Sequence, residues 1–577
     1  MNLKLKPVDL LILVASLSVS CNKNVPDKEL QTICNPVDIS YRFQLEEPSR
    51  REAADPVIIL FKDMYYLFAS KSGGYWSSPD LISWNFIATD QIPVEDYAPT
   101  AVVIEDTVYF MAGSVKNTIF KSTGPETGKW EIARESLPLA AADPVLFLDD
   151  DGRLYFFWGC SNVNPIYCIE LDYQNNFEPV GEPVILMNSI RDKYGWEVPG
   201  DYNTLYNNSP WIEGSWMNKI NGRYYLQYAG PGTEFKSYSD GVYISDKPLG
   251  PYVSAEHNPF AYKPEGFACG AGHGSTFTDK YGNYWHVGTV TISVKHIFER
   301  RLALYPAFVD QDSVLYTVTK FGDYPIIVPQ KKVEGFDDIF PGWMILSFKK
   351  AVTASSFIDS LPPENMTDEN IRTYWSAHTG NDNEWAVLDL DDVYDVYAIQ
   401  LNFAEHNTGI SGRLKDIAFQ YTVESSVEGN NWKLLINKSE NQTDNSHDYT
   451  QLDHKISCRY LRVKNKHIPG GNFALSGFRV FGLGNGEKPS PVKDFKVERD
   501  PRNGRSVMLT WNKVDNATGY NINYGSRENK LYHNYIFYSD TTITINTLNK
   551  GQDYYFNIES FNENGITTGK TIKPAFK

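Results

Sequence analysis

The sequence predicts an all-β protein, and three observations support this fold class. Aromatic residues make up 14% of the 577-residue chain, and tyrosine, tryptophan and phenylalanine favour strands. Beyond the first 21 residues, no segment has the apolar spacing of an amphipathic helix. Short apolar runs instead alternate with turns rich in Asp, Asn and Gly, which is typical of β-hairpins.

A hairpin pattern recurs five times between residues 55 and 300. Each copy has a polar first residue, a short apolar run, a turn and an aromatic strand; the first residues are Asp55, Thr100, Asp143, Glu213 and His273. Their spacing of about 43 to 70 residues is the scale of a propeller blade. Five blades around an axis would bring the five first residues together at its centre. We therefore expect a five-bladed β-propeller over residues 36–335, with three carboxylates and a histidine at its axis.

The amino terminus has the pattern of an export signal. Lys4 and Lys6 precede an apolar segment that is too short to span a bilayer permanently, and Ser20-Cys21 follow it. This pattern resembles a bacterial lipoprotein cleavage site, which implies removal of the signal peptide (residues 1–21) and lipidation of Cys21; an ordinary signal peptide is the alternative. Residues 22–35 would form a tether to a Gram-negative-type envelope, on its periplasmic or cell-surface side.

Charge and cysteine content limit the partners. A net charge of −17 argues against a nucleic-acid partner, which requires a basic face. The five remaining cysteines are scattered and form no metal-binding spacing. Cys160 and Cys168 could pair across neighbouring strands or remain free thiols. We expect a monomer that meets the membrane only through its lipid anchor.

Three carboxylates on separate blades suit the hydrolysis of a glycosidic bond. That reaction needs one acid to protonate the leaving oxygen and one carboxylate to activate water or attack the sugar. Each residue alone has a plainer interpretation: Asp before Pro is a common turn pair, and a single histidine such as His273 is more often a core residue. Trp76 could form the floor of a sugar pocket or pack in a core.

The motifs resemble glycoside hydrolase family 43 over about residues 36–330. The matching segments are Ala54-Asp55-Pro56, Ala142-Asp143-Pro144, Ile212-Glu213-Gly214, Gly272-His273-Gly274-Ser275 and Phe321-Gly-Asp-Tyr-Pro325. The resemblance implies a five-bladed propeller and an inverting mechanism.

The same resemblance implies roles for individual residues. Asp55 would be the general base, Glu213 the general acid, and Asp143 the residue that tunes and orients Glu213. His273 corresponds to a histidine near the axis that often helps to hold a central cation, usually calcium. One of Arg300 and Arg301 corresponds to a substrate-contacting arginine, and the spacing leaves both open. The chemistry itself would need no cofactor.

Two further domains follow by resemblance. Residues 340–485 contain the segments Val352-Thr-Ala-Ser-Ser356, Thr373-Tyr-Trp-Ser376 and Glu384-Trp-Ala-Val-Leu-Asp-Leu390. They resemble a discoidin-type domain similar to carbohydrate-binding module family 32, which implies a jelly-roll sandwich that serves as a sugar binder or a spacer. Asp368 and Thr373 are candidates for a structural calcium site there, although Gly477 stands where a Glu ligand is common. Residues 488–577 resemble a fibronectin type III spacer, with Trp511 in the core and Tyr554 as the corner tyrosine.

These expectations describe a lipid-anchored exo-glycosidase that removes terminal pentose residues from plant cell-wall polysaccharide. α-L-Arabinofuranosidase is the first choice, and β-xylosidase and exo-β-1,3-galactosidase are the alternatives. A non-catalytic glycan-binding lipoprotein is the alternative of another class. It is disfavoured because a lectin has no need of three carboxylates whose mutual repulsion must be offset. Because blades bury their faces against one another, residues 22–335 are expected to fold and act alone.

Overall fold

The computed structural model describes residues 30–114, 116–413, 417–538 and 540–574. The predicted signal peptide, Cys21 and most of the tether lie outside these residues. In the described chain the helical elements are 3-10 turns of three or four residues: Pro125–Thr127, Tyr173–Asn175, Gly195–Glu197, Phe336–Asp338 and Pro363–Met366. Within the same ranges no helix is long and apolar enough to cross a membrane. The all-β prediction is confirmed.

Five four-stranded antiparallel sheets form the amino-terminal domain, and in each sheet the strands pair in chain order. Blade I consists of Ala54–Phe61, Met64–Ser70, Gly74–Ser78 and Asn85–Ala88. Blade II consists of Thr100–Ile104, Thr107–Met111, Ile119–Ser122 and Glu131–Arg134. Blade III consists of Val145–Leu148, Leu154–Trp158, Ile166–Asp172 and Glu178–Met187. Blade IV consists of Glu213–Ile220, Arg223–Gly230, Ser239–Ser245 and Val253–Ser254. Blade V consists of Gly272–Thr278, Tyr284–Thr291, Arg300–Val309 and Leu315–Thr317.

The five blades close into a ring. The first strand of each blade contacts the first strand of the next, and the first strand of blade V contacts that of blade I. The first strands therefore surround the axis, as the repeat pattern predicted. The two ends of the domain are tied together, because the short strand Thr32–Ile33 pairs with Ile326–Ile327; two further short strands, Arg42–Phe43 and Arg51–Glu52, pair beside blade I.

Two β-sandwich domains complete the chain. The strands of the discoidin-type domain belong to one connected eight-stranded network: Met344–Ile345, Ala351–Ala354, Trp375–Ser376, Trp385–Phe403, Gln420–Ser426, Lys433–Lys438, His447–His467 and Ala474–Leu483. The last domain has a three-stranded and a four-stranded sheet: Lys496–Arg499, Val507–Thr510 and Thr542–Ile545, then Gly519–Gly525, His533–Phe537, Tyr555–Asn562 and Gly565–Thr568. Trp511 lies in its core, and the Tyr554 hydroxyl accepts a hydrogen bond from the Asn549 N–H at 3.0 Å, which is the corner expected of a fibronectin type III domain.

The three domains share buried contacts. Phe321 and Tyr324, at the end of the propeller, belong to one apolar cluster with Phe481 of the discoidin-type domain and Phe561 of the last domain. Arg479 of the discoidin-type domain is buried and donates to the Asp323 carbonyl oxygen at 2.6 Å. This shared core argues against the expectation that residues 22–335 are self-sufficient, because truncation would expose the propeller side of the cluster.

Removal of residues 336–577 should therefore destabilise the propeller. Full burial of a large apolar side chain contributes about 1.5–3 kcal/mol, and truncation would return Phe321 and Tyr324 to water. We expect the truncated chain of residues 22–335 to show a lower Tm than the full chain and to aggregate, as measured by differential scanning fluorimetry and size-exclusion chromatography. A monodisperse product with the Tm of the full chain would contradict the structural role of the shared core.

Candidate active site

An unusual backbone conformation turns three of the predicted residues toward the axis. Asp55, Asp143 and His273 have φ angles of 52°, 50° and 46°, a left-handed region that is costly for residues other than glycine. The pairing register of the first strand shifts at residues 54–57, 213–216 and 272–275. Such bulges re-aim side chains. At these bulges, the polar residues at the start of blades I, IV and V depart from the regular alternation of side chains between the two faces of the sheet.

Asp55 is held as a buried anion. Its carboxylate accepts hydrogen bonds from the Ser70 hydroxyl at 2.5 Å and from the Arg300 guanidinium at 3.1 Å, and the side chain is 4% exposed. Burial alone would raise its pKa, but the charges of Arg300 and His273 and the Ser70 hydrogen bond together lower the pKa of Asp55 below its ordinary value. An anionic carboxylate at neutral pH has the protonation state that a general base requires.

Asp143 has the opposite protonation tendency. Burial raises the pKa of Asp143 to about 7; the charge of His273 opposes this shift, whereas those of Glu213 and Asp55 add to it. Its carboxylate accepts a hydrogen bond from the Gly214 N–H at 3.2 Å. Asp143 therefore holds the backbone next to Glu213. The pKa values of Asp55 and Asp143 are moved in opposite directions within one site, and such opposite shifts are typical of acid–base catalysis.

Glu213 is fixed by two donors that the sequence analysis missed. Its Oε1 accepts a hydrogen bond from the Tyr238 hydroxyl at 2.5 Å, and its Oε2 accepts one from the Cys160 thiol at 3.3 Å. Neither donor belongs to a first strand, so the repeat pattern gave no signal for them. The five described cysteines, including Cys160 and Cys168, are free thiols.

His273 lies between the carboxylates. Its Nδ1 is 3.3 Å from Asp55 Oδ1 and 3.8 Å from Asp143 Oδ2. Burial alone would lower its pKa, but Asp55, Asp143 and Glu213 together raise the pKa of His273. The ring also explains the Glu213-Gly214 motif, because a Cβ on Gly214 would lie 2.5 Å from the imidazole.

The structure separates the two candidate arginines. Arg300 donates to Asp55, to Glu52 at 2.8 Å and to the Thr233 hydroxyl at 3.2 Å. Arg301 points to the other side of the strand, where its Nε lies 3.0 Å from His447 of the discoidin-type domain. Arg300 therefore belongs to the site, and the assignment of Arg301 as a substrate-binding residue is wrong.

Trp76 is also outside the site. It is 1% exposed and packs in the core between blades I and V, with its ring 5.5 Å from that of Phe86. A side chain enclosed in this way cannot stack on a sugar, so Trp76 does not form the floor of a sugar pocket and packs in a core instead.

The candidate calcium residues of the discoidin-type domain, Asp368 and Thr373, contact each other. The Thr373 hydroxyl donates to Asp368 at 2.6 Å, and both oxygens of Glu369 are bound by Arg479 at 2.9 and 2.8 Å. A Cβ on Gly477 would lie 2.9 Å from Phe267 of the propeller, so a side chain at that position would clash with the domain border. Calcium needs six to eight oxygen ligands, and a structural calcium site in this domain stays a prediction.

The possible metal ligands at the axis include a thiol as well as carboxylates. Among the described residues, Asp143, Cys160 and Glu213 offer ligand atoms within 4.8 Å of one another, but a thiol is a poor ligand for calcium. His273 directs Nδ1 to carboxylates, and the role of this residue in holding a central cation stays a prediction.

The propeller and its axial carboxylates define a class of enzyme. A buried anionic carboxylate, a second carboxyl group of raised pKa and a third held by hydroxyl and thiol donors are the groups that hydrolyse glycosidic bonds. In agreement, residues 49–301 match the model for glycosyl hydrolases family 43. Residues 351–478 match the F5/8 type C domain and residues 490–573 the fibronectin type III domain. The chain therefore contains a family 43 glycoside hydrolase domain followed by these two domains, in the predicted order.

Similarity to individual proteins is more limited. A β-D-galactofuranosidase of Aspergillus niger is 28% identical over 273 residues, which are 41% of this chain and 72% of that protein. A β-xylosidase of Xylanibacter ruminicola is 28% identical over 132 residues, or 19% of this chain and 39% of that protein. A solved structure of a glycoside hydrolase is 18% identical and aligns over 77% of this chain and 100% of its own, with a TM-score of 0.44. The relatives are named for different sugars, so they do not specify one substrate.

Replacement of Gly214 by alanine should damage the site without unfolding the protein. The added Cβ would displace His273 and the bulge that carries Glu213, and a shift of about 1 Å can cost about 10²-fold in rate. We expect kcat/KM of Gly214→Ala to fall by about that factor, with an unchanged far-UV circular dichroism spectrum.

Gly222→Ala is the matched control. Gly222 also has a positive φ, of 78°, and lies in the hairpin turn of the same blade, but a Cβ there would meet nothing within 4 Å. We expect its kcat/KM to stay within about twofold of wild type. Equal activity of the two variants would contradict the role given to the Gly214 contact.

Proposed function

We propose that this protein is an inverting exo-glycoside hydrolase that removes terminal pentose residues from plant cell-wall polysaccharide, with α-L-arabinofuranosidase as its first activity. The observation that carries the proposal is the difference between the carboxyl groups at the axis. Asp55 is a buried anion paired with Arg300, whereas Glu213 has hydroxyl and thiol partners and no cation within ion-pair distance among the described residues.

The proposed roles follow from these surroundings. Asp55 takes a proton from a water molecule that attacks the anomeric carbon, and Glu213 gives a proton to the departing oxygen. Asp143 positions Glu213 through the Gly214 N–H. Arg300 keeps Asp55 anionic, and its contact with the sugar stays a prediction. Inverting enzymes hold the base and the acid about 6.5–9.5 Å apart, so that the water fits between the base and the sugar.

Two other activities of the same family are alternative candidates. β-Xylosidase is the second candidate, because arabinofuranose and xylopyranose present similar hydroxyl arrangements and one relative is a β-xylosidase. Exo-β-1,3-galactosidase is less favoured, since relatives with that activity often lack the base that Asp55 supplies. A non-catalytic glycan binder is disfavoured by the buried, charge-compensated site, which has no use in a lectin.

The location is part of the proposal. The amino-terminal pattern supports export and a lipid anchor on Cys21, which the mass of the mature amino-terminal peptide would test. A substrate in the extracellular or periplasmic space agrees with this location.

A panel of aryl glycosides tests the activity. We expect p-nitrophenyl α-L-arabinofuranoside to give the highest kcat/KM, followed by the β-D-xyloside, with lower values for the β-D-galactopyranoside. A β-D-galactofuranoside belongs in the panel because of the Aspergillus niger relative. Highest activity on another member would reassign the sugar, and absence of turnover on all of them and on arabinoxylan fragments would favour the glycan binder.

The roles of the two catalytic carboxyl groups can be separated by leaving-group chemistry. A nitrophenolate leaves with little assistance, so Glu213→Gln should lose about 10²–10⁴-fold on an oligosaccharide and much less on an aryl glycoside. Asp55→Asn removes water activation, which both substrates need, and should reduce both rates together. Steady-state kinetics on the two substrates measure the contrast. Wild-type turnover by Asp55→Asn would show that the base is misassigned.

A further inference from the structure

Two dipeptides lie at the border of the propeller and the discoidin-type domain. Each directs one charged side chain toward the active site and the other toward the discoidin-type domain. Arg51-Glu52 and Arg300-Arg301 lie next to each other: the Ala53 N–H donates to the Arg300 carbonyl oxygen at 3.3 Å, and the Arg301 guanidinium donates to the Arg51 carbonyl oxygen at 2.6 Å. Successive side chains of an extended chain point to opposite faces. Each dipeptide therefore connects the active site with the neighbouring domain.

On the active-site face, Glu52 orients Arg300. Glu52 is fully buried, and its Oε1 accepts a hydrogen bond from one Arg300 nitrogen at 2.8 Å, while another nitrogen donates to Asp55 at 3.1 Å. The guanidinium is thus held between two carboxylates, and its position sets how strongly it stabilises the Asp55 anion.

On the opposite face, the discoidin-type domain holds the other two arginines. Arg51 is fully buried and forms ion pairs with Glu405 and, at 2.5 Å, with Asp444. Arg301 Nε donates to His447 Nε2 at 3.0 Å. Burial and the two arginines lower the pKa of His447, so its ring is neutral: Nε2 accepts, and Nδ1 donates to the Asn402 side-chain oxygen at 2.8 Å.

A third contact comes from the loop that precedes Arg300. The Lys295 ammonium donates to the carbonyl oxygens of Ala404 and Glu405 at 3.1 and 3.0 Å. The same loop carries Phe298, whose ring lies 5.0 Å from the Arg300 guanidinium carbon. Residues 404–405 therefore hold both the strand that carries Glu52 and the loop that covers Arg300.

We propose that the discoidin-type domain positions the catalytic centre: Glu405 and His447 fix Arg51 and Arg301, and thereby the backbone that places Glu52 and Arg300 against Asp55. This rests on the proposed role of Asp55 as base. It assigns to the domain a role that neither a spacer nor a sugar-binding module has, and it makes Glu405 and His447 positioning residues that never touch substrate.

The test uses the full chain and the pH dependence of kcat/KM. Arg300 lowers the pKa of Asp55, so a displaced Arg300 lets that pKa rise, and the base becomes protonated at higher pH. For Glu405→Gln we expect the acidic limb of the profile to move upward by about half a pH unit and kcat/KM to fall about tenfold. His447→Leu, which leaves no new charge in the domain, should act in the same direction and serves if Glu405→Gln fails to fold.

Glu369→Gln is the matched control. It breaks a buried ion pair within the discoidin-type domain, that of Glu369 with Arg479, and neither residue is hydrogen-bonded to the two dipeptides. We expect a comparable loss of Tm with an unmoved acidic limb. A general destabilisation would lower the folded fraction in both variants and would not move the limb in either.

The outcomes separate this proposal from the assignment of the base. If Asp55→Asn is inactive while folded Glu405→Gln and His447→Leu keep the wild-type acidic limb and kcat/KM, the positioning role is wrong and the base stands. If Asp55→Asn keeps wild-type turnover, the proposed base is wrong, and the positioning proposal falls with it. An equal displacement of the acidic limb in Glu369→Gln would also overturn the positioning proposal, because the displacement would then not be specific to Glu405 and His447.

Discussion

The ion pair between Asp55 and Arg300 is the interaction on which the catalytic centre depends. A carboxylate buried at the axis of a propeller would ordinarily take up a proton, because burial disfavours its charge. Arg300 at 3.1 Å, together with His273 and the Ser70 hydroxyl, reverses that preference. Asp143, without an arginine partner in the described site, shifts the other way. His273 acts on both aspartates, so Arg300 and the Ser70 hydroxyl distinguish them and keep the proposed base anionic beside a carboxyl group of raised pKa.

The backbone places these groups by a local deviation from regular strand geometry. The left-handed backbone conformation of Asp55, Asp143 and His273 is energetically unfavourable at each position. It is tolerated because each blade is fixed by its neighbours. The packing around these residues is tight at Gly214, where the His273 ring occupies the space that a side chain would need. The placement of the catalytic groups is thus a property of the ring of blades, and the discoidin-type domain adds support from outside through Arg51 and Arg301.

The sequence predicted the blades and the three acids because the repeat itself marks the first residue of each blade. It did not predict Tyr238, Cys160 or Glu52, because these residues lie outside that position and reach the site only through the folding of the chain. The choice between Arg300 and Arg301 depends on strand register, which spacing alone does not give. Domain docking was missed for a related reason: its contacts join residues hundreds of positions apart, such as Arg51 and Glu405, and no periodic signal marks them.

The central claim is that Asp55 activates a water molecule while Glu213 protonates the leaving oxygen. Proton NMR of the first sugar released from a substrate of defined anomeric configuration tests this claim most directly. Attack by water in a single displacement inverts the anomeric centre, so the account predicts that the inverted anomer appears first and that mutarotation follows. Initial release of the retained anomer would require a covalent intermediate and would contradict the role assigned to Asp55.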